Sequence, residues 1–250
     1  MTLEIIRCLS DNYAYLIHDA ESGETTLIDA PEAGPILAVL RNRGWTLTHV
    51  FITHHHWDHV EGLAAILAEA PAKVWGNAAD AERLPPLDHA FAVGDTLPGG
   101  AQVMDAPGHT IGHVAFYYPG LGALFSADSL MTHGCGRLFE GTPDQMFDTI
   151  TAFAALPDET LILSGHDYAK ANLSFAARFA PDPDALAARQ AELPELSAQG
   201  LPTTGTTLES EKLLNPYLRC HLPQVAAAAG LPDASPRAVL AEIRRQKDSA

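Results

Sequence analysis

A chain of 250 residues, 47% of them hydrophobic and with a mean hydropathy of +0.01, can bury one large core or a core with a smaller appendage. Its 31 acidic against 15 basic residues give a formal net charge of -16, which argues against nucleic acid and anionic membrane as partners; a site for an anion must then bring its own positive charge. Cys8, Cys135 and Cys220 form no CxxC pair, no basic-then-apolar leader opens the chain, and no apolar run is long enough for a bilayer, so reduced thiols and a cytoplasmic location are expected.

In chain order, β-branched and aromatic runs predict strands at 3–9, 13–19, 25–30, 47–53, 72–76, 101–106, 113–119, 122–127 and 160–165. Helical patterns lie between them at 33–43 and 60–70, where Leu63, Ile66, Leu67 and Ala70 share a face. Strand signals stop near residue 165. Pro, Ala and Glu dominate 180–202, and Ser235 before Pro236 predicts the N-cap and first residue of a terminal helix. These features predict an α/β (α+β) domain over 1–168 and a helical domain over 169–250.

Several predicted strands end in a small-residue turn followed by a histidine or aspartate: His54, His109, Asp128 and His166. Loops at strand ends are where rigid scaffolds display functional groups. The stretch "THHHWDH" adds more. If the chain stays extended past Thr53, the period of two places His54, His56 and Asp58 on one side and His55 and Trp57 on the other, with His59 opening the next helix. The seven groups His54, His56, Asp58, His59, His109, Asp128 and His166 exceed the four that satisfy one zinc, so two ions sharing a bridging group are expected. Imidazole with carboxylate and no thiolate suits Zn, Fe or Mn. His18, His49, His89, His133 and His221 read as surface or hydrogen-bonded core residues, and His55 and His113 as structural neighbours of the ligands.

"THHHWDH", "PGHTIGH", "SADSL" and "LSGHDY" resemble the metallo-β-lactamase superfamily, which implies a four-layer αββα sandwich with a binuclear site at one edge. The narrower resemblance is to the glyoxalase II, or hydroxyacylglutathione hydrolase, family. It rests on "SDNYAYLI", "GCGRLFEGTPDQM" at 134–146, "GHDYAKANLSFA" at 165–176, "NPYLR" at 215–219 and "RRQKD" at 244–248. The resemblance implies one metal on His54, His56 and His109, a second on Asp58, His59 and His166, and Asp128 bridging beside a hydroxide. Asp58 and Asp128 are then the catalytic carboxylates. It places glutathione against Arg137, Tyr168, Asn172, Arg244 and Lys247, in a monomer. The implied reaction cleaves S-(2-hydroxyacyl)glutathione, principally S-D-lactoylglutathione, to D-lactate and glutathione, the second step of methylglyoxal detoxification.

Two divalent ions on one water lower its pKa from about 15.7 towards about 7, and a thiol of pKa about 8.5 leaves without a general acid. Three positions depart from the family pattern. Ala127 replaces a glycine, where a methyl group is expected to be tolerated; Phe139 lacks a tyrosine hydroxyl; and "HVEGL" follows the metal motif. Arg237, Arg244, Arg245 and Lys247 crowd the last fourteen positions, which a helix dipole alone could explain. Cys135 reads as a buried structural thiol. The alternative enzyme is a mononuclear iron glutathione-persulfide dioxygenase of the same superfamily; a β-lactamase, a processing nuclease and a structural metal module fit the chain less well.

Overall fold

A computed structural model describes all of residues 1–250. The chain forms two compact units, Met1–Asp105 with Gly112–Phe125, and Ala106–Ile111 with Ser126–Ala250.

The first unit opens with β1 (Thr2–Cys8), β2 (Asn12–His18) and β3 (Thr25–Ile28), followed by α1 (Ala33–Arg43), β4 (His49–Phe51), α2 (Trp57–Val60), α3 (Leu63–Glu69), β5 (Lys73–Asn77) and β6 (His89–Phe91). The six strands make one sheet in sequence order, antiparallel across β1-β2-β3 and parallel across β3-β4-β5-β6. The parallel half needs three crossovers, which α1, the α2–α3 segment and residues 78–88 supply. Short strands β7 (Thr96–Leu97), β8 (Ala101–Asp105) and β9 (Val114–Tyr118), with β10 (Ala123–Ala127) as far as Phe125, pair antiparallel in a second sheet.

The two faces of β2 show why its apolar run is continuous. Ala14 and Leu16 join Leu27, Val50, Ile36, Leu40, Leu63 and Ile66 in the core beneath α1 and α3. Tyr15 turns the other way and meets Phe125 edge-on at 5.2 Å, as Phe51 meets Phe116 at 5.4 Å. A strand covered on both faces gains burial from every residue rather than alternate ones.

In the second unit the end of β10 is followed by β11 (Leu130–Met131), β12 (Gly134–Cys135), α4 (Pro143–Ala154), β13 (Leu161–Ser164), α5 (Ala169–Ala176), α6 (Pro183–Ala198), β14 (Thr206–Thr207), α7 (Leu208–Leu214), α8 (Pro223–Ala228) and α9 (Pro236–Asp248). β13 and β14 pair antiparallel, and β11 and β12 form a separate hairpin. α4 starts at a capping box, Thr142 with Gln145, and Pro143 occupies its first turn. α9 starts as expected, with the Ser235 side chain accepting from Ala238 N. Ala169, Leu173, Leu193 and Leu214 form the core shared by α5, α6 and α7.

Three expectations need correction. Asp58 is not on an extended segment: the strand ends at Phe51 and Asp58 lies on α2, so its direction is helical rather than alternating. The helix expected at 60–70 is two, separated at Gly62, whose Cβ would stand 2.9 Å from Ala30 O. Strands do not end at 165, because β14 pairs with β13 through Leu161–Thr207 and Ile162–Thr206. Two-residue strands carry too short a pattern to be read from periodicity. No helix is long and apolar enough to cross a membrane.

Candidate metal centre

In the first unit the 52–62 loop is laced to the end of β3. Asp29 N donates to Phe51 O, Ala30 N to His59 O, and Gly62 N to Ala30 O. Asp29, 3% exposed and left-handed at φ +57, accepts from Thr53 N at 2.9 Å and Thr53 Oγ1 at 2.8 Å, and stands 2.8 Å from His59 Nδ1. His54 Nδ1 lies 3.0 Å from Thr53 Oγ1. Asn12 Nδ2 donates to both Asp58 Oδ2 and Asp58 O, at 3.0 and 3.1 Å. His54 and His59 are fully buried, whereas His56 and Asp58 are partly exposed.

In the second unit His109 Nδ1 lies 2.7 Å from Arg137 O, and Phe139 N donates to His109 O. Asp128 Oδ2 stands 3.3 Å from both His109 Nε2 and His166 Nε2. Asp128, His109 and His166 are all buried. Tyr168 stacks on the His166 ring at 4.9 Å and 3°.

Within the first unit His54, His56, Asp58 and His59 share the 52–62 loop, and within the second His109 and His166 both face the Asp128 carboxylate. Donors held at about 2.0–2.1 Å by one tetrahedral ion stand about 3.3–3.4 Å apart, which is the Asp128–histidine spacing. His54, His59 and His109 each have Nδ1 against an oxygen, so Nε2 is the nitrogen each could offer to an ion. In each unit imidazole and carboxylate donors therefore have the chemistry that holds a divalent ion.

Of the remaining histidines, His221 is exposed and the others are packed or hydrogen-bonded. His113 stacks on His54 at 4.7 Å, His55 Nδ1 lies 3.3 Å from Asp80 Oδ2, His18 stacks on Trp45, His49 accepts from Trp75 Nε1, and His89 stacks on Trp75. Burial raises the Cys135 thiol above its ordinary pKa. Ala127, beside Asp128, is left-handed at φ +43. This is the conformation for which a glycine is preferred, so the methyl group there costs backbone strain.

Among the residues expected at glutathione, Arg137 and Tyr168 are exposed and Lys247 is half-buried over the Phe175 ring. Desolvation first, and then Arg244, pull the Lys247 ammonium below its usual pKa. Asn172 and Arg244 are buried: Asn172 Nδ2 donates to Thr132 O at 3.1 Å, and Arg244 donates to Cys135 O at 2.9 Å and to Asp248 at 2.8 Å. Arg244 Nε has no protein partner. Sequence reasoning missed Asn12 and Asp29. Asn12 lies inside the quoted "SDNYAYLI", and Asp29 ends a strand in the same manner as Asp128.

Family models match the chain in two consecutive stretches, the metallo-β-lactamase superfamily over residues 10–166 and the hydroxyacylglutathione hydrolase C-terminus over 167–250. Fold and histidine–aspartate cluster thus define a metallo-β-lactamase superfamily hydrolase. Curated relatives named hydroxyacylglutathione hydrolase include one from Ruegeria pomeroyi, 53% identical over 99% of both chains, and one from Fuscovulum blasticum, 52% identical over 99% of this chain and 98% of its own. The chain belongs to the hydroxyacylglutathione hydrolase family. Among solved structures, ETHE1 from Myxococcus xanthus superposes with a TM-score of 0.71 at 26% identity, over 99% of this chain and 92% of that one. TTHA1623 in a di-iron-bound form superposes with a TM-score of 0.59 at 28% identity, over 66% of this chain and 92% of that one.

Proposed function

We propose that this chain hydrolyses S-(2-hydroxyacyl)glutathione, principally S-D-lactoylglutathione, to D-lactate and glutathione. The observation that carries the reading is the ligand spacing of His109 and His166 about Asp128, with four further donors on the 52–62 loop, in a family whose relatives carry this activity in their name. In this reading His54, His56 and His109 hold one divalent ion, Asp58, His59 and His166 hold another, and Asp128 bridges them. Zinc is the proposed metal, with iron or manganese as alternatives, in a cytoplasmic monomer. When bound, such a pair lowers the pKa of a shared water towards about 7 and polarises the thiolester carbonyl.

The protein's own groups do the remaining work. Asp29, Thr53 and the Arg137 carbonyl fix which imidazole nitrogen faces the centre, and Asn12 orients the Asp58 carboxylate. The glutathione thiol, with a pKa of about 8.5, departs as thiolate and needs no proton donor from the chain. Arg137, Arg244 and Lys247 supply cations for the glutathione carboxylates in an otherwise acidic protein, Arg244 as a buried charge beneath that end. Tyr168 and Asn172 complete that end, the first as an exposed ring and the second from beneath. Arg244→Ala and Lys247→Ala are expected to raise KM more than they lower kcat.

The test is to purify the protein without chelator, count metals, and follow the loss of S-D-lactoylglutathione absorbance before and after metal removal. Two ions per chain, activity lost on removal, and no turnover in Asp128→Ala are expected. Undiminished activity of the metal-free protein overturns the reading. One iron per chain with oxygen uptake replaces it with the persulfide dioxygenase.

A further inference from the structure

Buried polar side chains that the hydrolysis does not use converge on the β11–β12 hairpin. His133 at its turn is left-handed, at φ +58, and 1% exposed. Its N–H donates to Glu211 Oε2 at 2.8 Å, and its ring Nδ1 faces Glu211 Oε1 at 3.1 Å. The same fully buried carboxylate accepts from Thr206 Oγ1 at 2.7 Å and Asn215 Nδ2 at 3.0 Å. These donors occupy the roughly four acceptor positions that a carboxylate offers. On the other side of the ring, Arg189 Nε donates to His133 Nε2 at 3.0 Å, which places the ring proton on Nδ1.

Arg189, on α6 and 8% exposed, has a second arm: Nη2 donates to Thr203 O at 2.5 Å, and Thr203 Oγ1 donates to Asp167. The hairpin itself is held at nearly every peptide group. Asn215 donates to Met131 O and Gly134 O, Asn172 to Thr132 O, and Arg244 to Cys135 O. All of these side chains follow residue 167.

Both arms end at the metal centre. The hairpin leads from Asp128 to Gly136, whose N–H returns to Ser129 O, and to Arg137, whose carbonyl meets His109 Nδ1. Asp167 adjoins His166 in sequence. We propose that Arg189 and Glu211 are positioning residues for the metal centre, setting Asp128 and His109 through the His133 turn and His166 through Thr203 and Asp167. The C-terminal region then governs ion affinity as well as glutathione capture. This rests on the binuclear reading above.

Glu211→Gln places an NH2 group among donors, and His133 cannot answer by moving its proton to Nε2, because the Arg189 N–H already points there. Thr203→Val is the milder variant, removing the hydroxyl to Asp167 while keeping the carbonyl that Arg189 uses. For both, and for the wild type, metal affinity is measured by chelator competition, and the visible spectrum of the cobalt(II)-substituted protein, the melting temperature, kcat and KM are recorded. Affinity is expected to fall about 10- to 100-fold in Glu211→Gln and by less in Thr203→Val. Shifted cobalt bands are expected in both, with kcat lowered and KM within about twofold. Wild-type affinity and spectrum in Thr203→Val, or in folded Glu211→Gln, overturn the proposal even if melting falls, as does a change confined to KM. A wild-type protein that binds no ion pair overturns the centre, and this inference with it.

Discussion

Gly136, the second glycine of "GCGR", passes so close to Asp128 that no other residue fits. A methyl carbon there would stand 1.8 Å from Asp128 O, where real contacts do not fall below 3.0 Å, and 3.2 Å from His109 Nδ1. In Gly136→Ala, one backbone or the other must therefore move by about 1.2 Å, and the atom in the way is main chain, which cannot rotate aside as a side chain can. Displacement of about 1 Å at a reacting centre costs on the order of 100-fold in rate, and overpacking of this kind costs up to about 3 kcal/mol. In a chain of this length that lowers melting by roughly 6 to 12 °C. Gly120→Ala is the control, since its Cβ would meet nothing within 4 Å. The assay compares melting temperature, metal content and thiolester hydrolysis of the two variants. The reasoning is refuted if Gly136→Ala matches Gly120→Ala within about 2 °C and twofold in rate.

Ala127→Gly is expected to stabilise the protein by about 0.5 to 1 kcal/mol, because relief of the left-handed alanine exceeds the added freedom of the unfolded chain; a scan at fixed metal concentration should show melting raised by roughly 1 to 4 °C. Burial pushes the Cys8 and Cys220 thiols up to about 12 and raises Cys135 as well. Native protein should therefore resist iodoacetamide at pH 8 and take up three equivalents only when unfolded, as mass spectrometry would show. Burial opposes ionisation of Glu211, but His133 and the hydrogen bonds from His133, Thr206 and Asn215 outweigh it and hold the carboxyl below the usual range. A lowered folded value gives stability that is complete above the unfolded glutamate value of about 4.3 and is lost as the pH falls through the folded one. Urea titrations between pH 3 and 7 should thus show a steeper acid loss in the wild type than in Glu211→Gln.

The fold was legible where burial imposes long patterns. The run at 13–19 is apolar on both faces because β2 lies between a helix layer and a second sheet, and α1 spans the very residues that its period marks out. The candidate ligand histidines stood out in the sequence because ligation needs particular side chains at strand ends. What escaped depends on partners distant in sequence. Asp58 turned helical because Asn12, 46 positions away, takes its carboxylate and carbonyl. Glu211 sits in "LESEKLL", which reads as a solvated helix face, yet its carboxylate is sealed against a histidine 78 positions earlier. Arg189 carries no local signal at all, since a lone arginine in an Ala-rich helix is ordinarily at the surface.

The hairpin at 131–135 also bears on how such a chain could be shortened. Cutting at residue 166, where the superfamily match ends, strips away Asn172, Glu211, Asn215 and Arg244 together, and with them the side chains that meet the Thr132 and Cys135 carbonyls and the His133 N–H. The two matched stretches are therefore not separable pieces: peptide groups ahead of residue 166 lean on side chains behind it, and a chain cut there is expected to lose the hairpin's support.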